Sequence, residues 1–392
     1  MSVSSSYNPP EDLAGLRRNA LIAGVVGLVP TVAGAFLSPQ QFYRSYLVAF
    51  LFWLGVALGS LGILALHHLT GGAWGLMIRR ILEAAARTSP VFAILFLPVF
   101  LGRGHLFPWA DAAKVAASHV LTHRQGYWQV PFFLGRAAFY FLVFWAVSAL
   151  LSSFSKRQDE TADPALVRKM QFVAGPGLMA YAVTSTFAAF DWLMSLNDRW
   201  FSSLYGVWFM EGQVLSALAF VILVTLFLSS RAPMEGVYQP RHFHDYGKLL
   251  LAFTMLWAYL SVSQFLIIWS GNLPEEITWY KGRIEGSWAA FSLILVFLHF
   301  VAPFVLLLSA NLKKDVKRLS IVASLLFVMR WVDLYWQAAP AFWPAFHMSW
   351  LDVTSTLAIG GIWVWLFVGQ LQKRPLLPVN DPQLPQALAH AH

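Results

Sequence analysis

The chain has 392 residues, of which 58% are hydrophobic and only 12% charged, and its mean hydropathy is +0.59. An ordinary soluble domain is roughly 45–50% apolar and about 25% charged, so a soluble globular protein is excluded, as is a disordered chain. There is no Cys, which rules out disulfides, thiolate zinc sites, Cys-ligated iron–sulfur clusters and CxxCH haem attachment, because each needs a sulfur. The net charge of +8 and pI near 9.7 would suggest nucleic acid in a soluble protein; here the charge has another reading.

A membrane span needs about 20 mainly apolar residues to cross roughly 30 Å of hydrocarbon. Ten stretches qualify, at 17–37, 42–66, 84–102, 131–152, 172–196, 204–229, 247–270, 287–310, 319–339 and 349–371. The third is the weakest, because its clean apolar core is only Pro90 to Gly102 and Pro98 interrupts it. The predicted fold class is therefore an all-α polytopic membrane protein with about ten transmembrane helices, one integral membrane domain over 1–392. The start shows no signal-peptide pattern, since Met1 to Glu11 is polar without a positive segment.

Lys and Arg set the orientation. With the N-terminus inside, the inner segments carry Arg17, Arg18, Arg79, Arg80, Lys156, Arg157, Lys313 and Lys314 among others, more than twice as many as the outer ones. Arg136 counts with the outer segments, and Arg330 alone falls within a span. This bias predicts both termini in the cytoplasm, and the charges are spread over loops rather than gathered into a nucleic-acid surface. The long outer connection, 103–130, predicts a short interfacial helix after Pro108-Trp109-Ala110-Asp111. The Pro-rich segment 374–392 predicts a flexible cytoplasmic tail.

Ionisable groups inside a membrane are costly and are functional candidates by default. They are Asp191, Glu211, His299, Arg330 and Asp333. At about 1.5 Å per residue, Asp191, Glu211 and Asp333 all lie roughly 8–10 Å below the outer surface, with His299 and Arg330 deeper. Arg330, Asp333 and Gln337 share a helix face, as do Thr184, Asp191 and Ser195, and Trp257, Ser261 and Gln264. Two readings stand: Arg330 and Asp333 form a packing ion pair, or the acids line a hydrated proton route tuned by Arg330. The candidate route comprises Asp191, Glu211, Gln264, His299, Arg330 and Asp333.

His67 and His68 read as an ordinary helix end before Gly71-Gly72. His242 and His244 lack the companions a metal site needs, and His119 and His123 lack the Glu of a zinc-protease motif. Phe190-Asp191-Trp192-Leu193 and Val332-Asp333-Leu334-Tyr335-Trp336 suggest a parallel repeat of spans 2–5 and 6–9.

Two segments go further. One runs from Asp191-Trp192-Leu193-Met194-Ser195-Leu196 to Tyr205-Gly206-Val207-Trp208. The other runs from Asp245-Tyr246-Gly247-Lys248 through Ser263-Gln264-Phe265 to Asn272-Leu273-Pro274-Glu275-Glu276 and Trp279-Tyr280. Both resemble the NrfD-like, polysulfide-reductase-type membrane subunits, and within them the ActF-type subunits on the quinol side of bacterial alternative complex III. The resemblance covers roughly span two to span ten. It implies two four-helix bundles with flanking helices in a bacterial inner membrane. It also implies a place in a quinol:cytochrome c, or quinol:acceptor, oxidoreductase complex. Partners would be a sister NrfD-like subunit, an iron–sulfur protein and c-type cytochromes, together with the lipid bilayer and the quinone pool. Haem and iron–sulfur clusters would belong to those partners, with quinol, menaquinol included, at or near this subunit and no covalently bound cofactor on it. Family polar positions match at Asp191, Gln264 and Asp333. The outer loop bearing Asn272, Glu275, Glu276, Trp279 and Tyr280 is a candidate docking surface for redox partners, or else a rigid acidic connector.

Alone, the chain would be a non-redox subunit rather than an enzyme. A proton-coupled secondary transporter is the first alternative, although Pro98 and Gly175-Pro176-Gly177 are the only candidate helix breaks. A structural membrane anchor is the second.

Overall fold

The computed structural model describes residues 7–389. The expectations for 1–6 and 390–392 lie outside the described residues. Among the described residues there is no strand, and nine helices are long and apolar enough to span a membrane. They are α1 (Asp12–Leu37), α2 (Pro39–Thr70), α4 (Val130–Thr161), α5 (Ala165–Trp192), α6 (Tyr205–Ser229), α7 (Pro240–Gly271), α9 (Gly286–Leu308), α10 (Val316–Ala338) and α11 (Trp350–Leu371). Between them, α3 (Ala73–Ala86) and α8 (Pro274–Ile284) are shorter. The protein is thus an all-α, multi-pass membrane protein.

The weak third span is bent. Helix α3 and the segment Val91–Leu101 are together long and apolar enough for a tenth span, with a 41° bend between them. Pro98 sits in the first turn of Leu97–Leu101, where its missing N–H costs no hydrogen bond. Gly175-Pro176-Gly177, in contrast, breaks nothing: α5 runs through Pro176 without interruption.

Helix α2 is the axis. It is apolar all round and buried over almost its whole length, as a helix without a polar face must be. Helices α2, α3, α4 and α5 pack as one group; α6, α7, α9 and α10 pack as another. The two groups meet where α6 lies against α2 and α5. Helices α1 and α11 form a flanking pair laid against α2. They approach closely because a Cβ on Gly27 would stand 2.6 Å from the Ala358 backbone nitrogen. The outer flanks of α7 and α9 expose Tyr259, Val262, Leu293 and Phe297, as lipid-facing helices do. Helix directions alternate, so one face of the bundle carries both described chain ends (the terminal face) and the other the long 102–129 connection (the distal face).

Three expectations change. The tail is packed rather than flexible as far as Leu388: Leu377 and Leu384 are buried, Leu376 N donates to Tyr7 O at 2.8 Å, and Arg79 Nη1 donates to Asp381 Oδ2 at 2.8 Å. Its cause is the second change. Arg79 and Arg80, expected as inner-loop charges, are buried in α3 beside Glu83. Arg79 Nε donates to Glu83 Oε1 at 2.9 Å, and Arg80 Nη1 to Glu83 Oε2 at 2.7 Å. Two guanidiniums offer more donors than one carboxylate accepts, and Asp159, Gln158 and the tail's Asp381 take three more of them. Third, the expected interfacial helix is two short helices, Ala112–Ala117 capped by Asp111 and His119–His123 capped by Ser118. Trp109 is buried against Trp128 and Phe133 instead of lying at the lipid boundary.

Candidate functional site

The structure separates the candidate route into two places. Asp191 belongs to the first helix group. It lies near the distal end of α5, fully buried, and each of its oxygens accepts two hydrogen bonds. Arg136 donates from Nε to Oδ2 at 2.8 Å and from Nη2 to Oδ1 at 3.0 Å. The Tyr140 hydroxyl donates to Oδ2 at 2.9 Å and the Tyr127 hydroxyl to Oδ1 at 3.0 Å. This two-pronged pairing is strong and directional. Arg136, placed in an outer segment by the charge count, stands instead in the second turn of α4, so Arg330 is not the sole cation within a span. Arg136 also lies over the Tyr127 ring at 3.8 Å and donates to the Tyr127 carbonyl at 2.8 Å, tying the distal connection to the bundle. Thr184 and Ser195 bond to carbonyls of their own turn of chain and do not extend a polar path.

The second group holds Glu211, Arg330, Asp333, Gln337, Trp257 and His299, drawn from α6, α7, α9 and α10. Arg330 Nη1 donates to Asp333 Oδ2 at 2.6 Å, and Gln337 Nε2 donates to the same oxygen at 2.8 Å. The expected face of Arg330, Asp333 and Gln337 is therefore a bonded unit. Arg330 Nε donates to the Gly212 carbonyl at 3.2 Å, across to α6. Gly212 leaves room for the guanidinium: a Cβ would stand 1.8 Å from Arg330 Nη2 and push it aside.

The cluster is not saturated. Asp333 Oδ1, both oxygens of Glu211, both ring nitrogens of His299, Trp257 Nε1 and Gln337 Oε1 are buried without a hydrogen-bond partner. His299 is wholly buried and packs on Trp257 with ring centroids 4.1 Å apart. It sits in a π-helical turn, Val296–Val301, inside α9. Such turns widen a helix and recur at functional positions. Glu211 lies within electrostatic reach of Arg330 and Asp333. Bare polar groups at this depth cost about 1–3 kcal/mol each, and more if charged, so the site calls for water, protons or a polar ligand group.

Aromatic side chains roof the cluster on the distal side. Trp200 stacks on Trp279 at 4.5 Å, and Trp208 and Trp336 meet Trp279 edge-on. Arg283 of α8 lies 3.4 Å over the Trp279 ring. It donates to the carbonyls of Trp279, Trp336 and Gln337 at 2.7, 3.2 and 2.6 Å, closing the C-terminal end of α10. Burial lowers its pKa to about 9, which leaves it a cation at neutral pH.

The expected docking loop is corrected accordingly. Trp279 and Tyr280 are buried in this roof and present nothing to a partner; the hydrophobic residues of an amphipathic α8 turn inward. Asn272 and Glu275 are exposed and Glu276 half-buried, in the cap of α7 and the first turn of α8. Gln264 is also separate from the acids. It is fully buried two turns distal to Trp257 on the same face of α7, and its Oε1 accepts from half-buried Ser202 at 2.5 Å.

The sequence reading missed Arg136 with Tyr127 and Tyr140, Glu83, Trp257 as a ring partner of His299, and Gly212. Arg136 was within reach, since the apolar run already begins at Val130. The contacts of Glu83 and Gly212 join distant elements and leave no local signal. Among the described residues no group of three or more His, Asp or Glu is placed to hold a metal ion.

The buried polar clusters sit inside a multi-pass α-helical membrane protein, and this class is as far as the fold carries. No protein-family model matches the sequence, and a search of curated proteins returns no match.

Proposed function

We propose that the chain is a membrane subunit of a quinol-oxidising electron-transport complex of the NrfD-like kind, and that its own share is proton handling in the second helix group. The observation that supports this most is the unsaturated cluster of Glu211, Asp333, Arg330 and His299. Quinol oxidation releases two protons with two electrons, and a carboxyl with an unbonded oxygen accepts a proton where a saturated one cannot. Glu211 and Asp333 are the carriers, and Arg330 holds Asp333 while its fixed charge opposes free cation passage. His299 and Trp257 line the inner side. Gln264 and Ser202 form the way past the aromatic roof to distal water. With the terminal face in the cytoplasm of a bacterial inner membrane, that exit is on the outer side. Electrons run through partner subunits, which supply haem and iron–sulfur clusters, and Glu275 with its neighbours is the part of the docking loop available to them.

The test begins with purification from native membranes. The chain is expected to travel with haem- and iron–sulfur-containing polypeptides and with quinol-dependent turnover. In vesicles, Asp333→Asn and Glu211→Gln are expected to lower turnover and proton release at least tenfold while the complex still assembles. Wild-type turnover and proton yield in both variants would remove the proton role, and isolation of the chain alone would remove the complex.

The bent third span and the π turn favour one second reading, a proton-coupled transporter, since transporters build sites at helix discontinuities. Proton-driven uptake of a polar solute by vesicles containing this chain alone would select it.

A further inference from the structure

A cavity of about 360 Å³ opens on the flank of the first helix group, toward the terminal face, away from the acidic cluster. Its polar wall comes from Arg87 at the bend after α3, Ser152 and Lys156 on α4, and Arg374 just beyond α11. No Asp or Glu lines it. Arg87 makes no ion pair and no side-chain hydrogen bond among the described residues. It lies close enough to Arg374 for the two guanidiniums to repel. The one carboxylate paired with Arg374 has little to spare for Arg87. That carboxylate, Glu83, is 3.4 Å from Arg374 and already holds Arg79 and Arg80, and the other bond of Arg374 goes to the Ser152 carbonyl at 3.1 Å. Lys156 pairs only with exposed Glu160, at 3.7 Å. The Ser152 hydroxyl is buried, 95% of the residue being covered, and has no partner.

Adjacent like charges, a free buried hydroxyl and no carboxylate in the wall are the recognition chemistry of a phosphate. The other end of the cavity is apolar and faces outward: Trp145, half exposed on the lipid side, stands about 16 Å along α4 from Lys156. Lys156 follows the serine-rich turn Ser152–Ser155 that ends the apolar part of α4, where headgroups would lie. A free anion would use only the first half of this wall, whereas a phospholipid uses both.

We propose that this cavity binds the phosphate of an anionic phospholipid between Arg87, Arg374 and Ser152, with an acyl chain running along Trp145. Basic pockets between spanning helices are the usual seats of anionic headgroups. The bound lipid also supplies a negative partner for Arg87, which has no ion pair among the described residues, and a second one for Arg374. This site is independent of the proton cluster and of the reading built on it.

The experiment uses the full chain, with its partners if they co-purify, stripped of lipid in detergent. Phosphatidylglycerol, phosphatidylcholine with the same acyl chains, and inorganic phosphate are added separately. Retention is read by native mass spectrometry and stabilisation by the thermal unfolding midpoint. One phosphatidylglycerol per site is expected, held at least tenfold tighter than phosphatidylcholine, with a raised midpoint. Arg87→Gln is expected to abolish the preference. Ser152→Val fills the cavity without removing a charge, and is expected to weaken retention tenfold even if Arg87→Gln does not fold. Equal retention of the two lipids by the wild type, or unchanged retention in Ser152→Val, overturns the proposal. A midpoint rise with inorganic phosphate equal to that with phosphatidylglycerol overturns it as well, by assigning the cavity to a soluble anion.

Discussion

Asp191 and Asp333 stand on the last helix of their respective groups, near the distal end, each beside an Arg, yet their surroundings are opposite. Asp191 receives four donors from two other parts of the chain, α4 and the distal connection. Asp333 receives two, both from its own helix, and its other oxygen has only the Trp257 indole of α7 close by, outside hydrogen-bond geometry. Arg136 reaches its acid across a helix interface; Arg330 is three residues from its acid and spends another donor on α6. A carboxylate with every lone pair engaged clamps helices together and has no capacity left for chemistry. One with half its capacity open, next to an unbonded Glu and an unbonded His, is paid for in stability and suited to exchange protons. The difference teaches that two equally buried acids can differ in how fully their oxygens are engaged.

The largest expected effect breaks the clamp. Arg136→Leu leaves Asp191 buried without its cation and should cost about 3–5 kcal/mol, measured as a lower unfolding midpoint and poor yield. Adding Asp191→Leu should recover most of that loss, because the pair is then replaced by packed apolar groups; no recovery would mean the cation's contacts with Tyr127 matter more than the acid. In the second group, Arg330→Leu should reduce the yield of folded protein more than Asp333→Asn, which keeps the shape and removes only the charge. Equal yields would show that Asp333 does not depend on Arg330. Gly212→Ala displaces the Arg330 guanidinium without removing it. Turnover of the complex should fall roughly tenfold or more, with little change in the unfolding midpoint, because a shift of about 1 Å in a positioned group is costly to chemistry. The smallest effect sharpens the contrast: Tyr140→Phe takes one of four donors from Asp191 and should cost about 1 kcal/mol with turnover unchanged. A large drop in turnover there would place Asp191 back among the working acids.

Much of the fold was legible because it rests on local runs. Ten apolar stretches appear as nine long helices and one bent pair, and the weakest stretch is the bent one. The Arg330–Asp333–Gln337 face was legible for the same reason, since residues three and four apart on one helix must be neighbours. Trp279 and Tyr280 misled, because aromatic residues near an apolar end suit a membrane interface and a packed roof equally well.

Composition and periodicity by themselves determined the class, the spans and some of the buried ionisable groups, since each depends on how much apolar surface a segment must hide. Tertiary structure alone decided which acid meets which cation across helices. It paired Asp191 with Arg136, set Glu211 and His299 bare beside Arg330, folded the tail onto Arg79, and brought Arg87 and Arg374 to the wall of one cavity. The reason is geometric: such pairings join residues far apart in the chain, so they depend on helix rotation and depth in the assembled bundle, which no local pattern encodes.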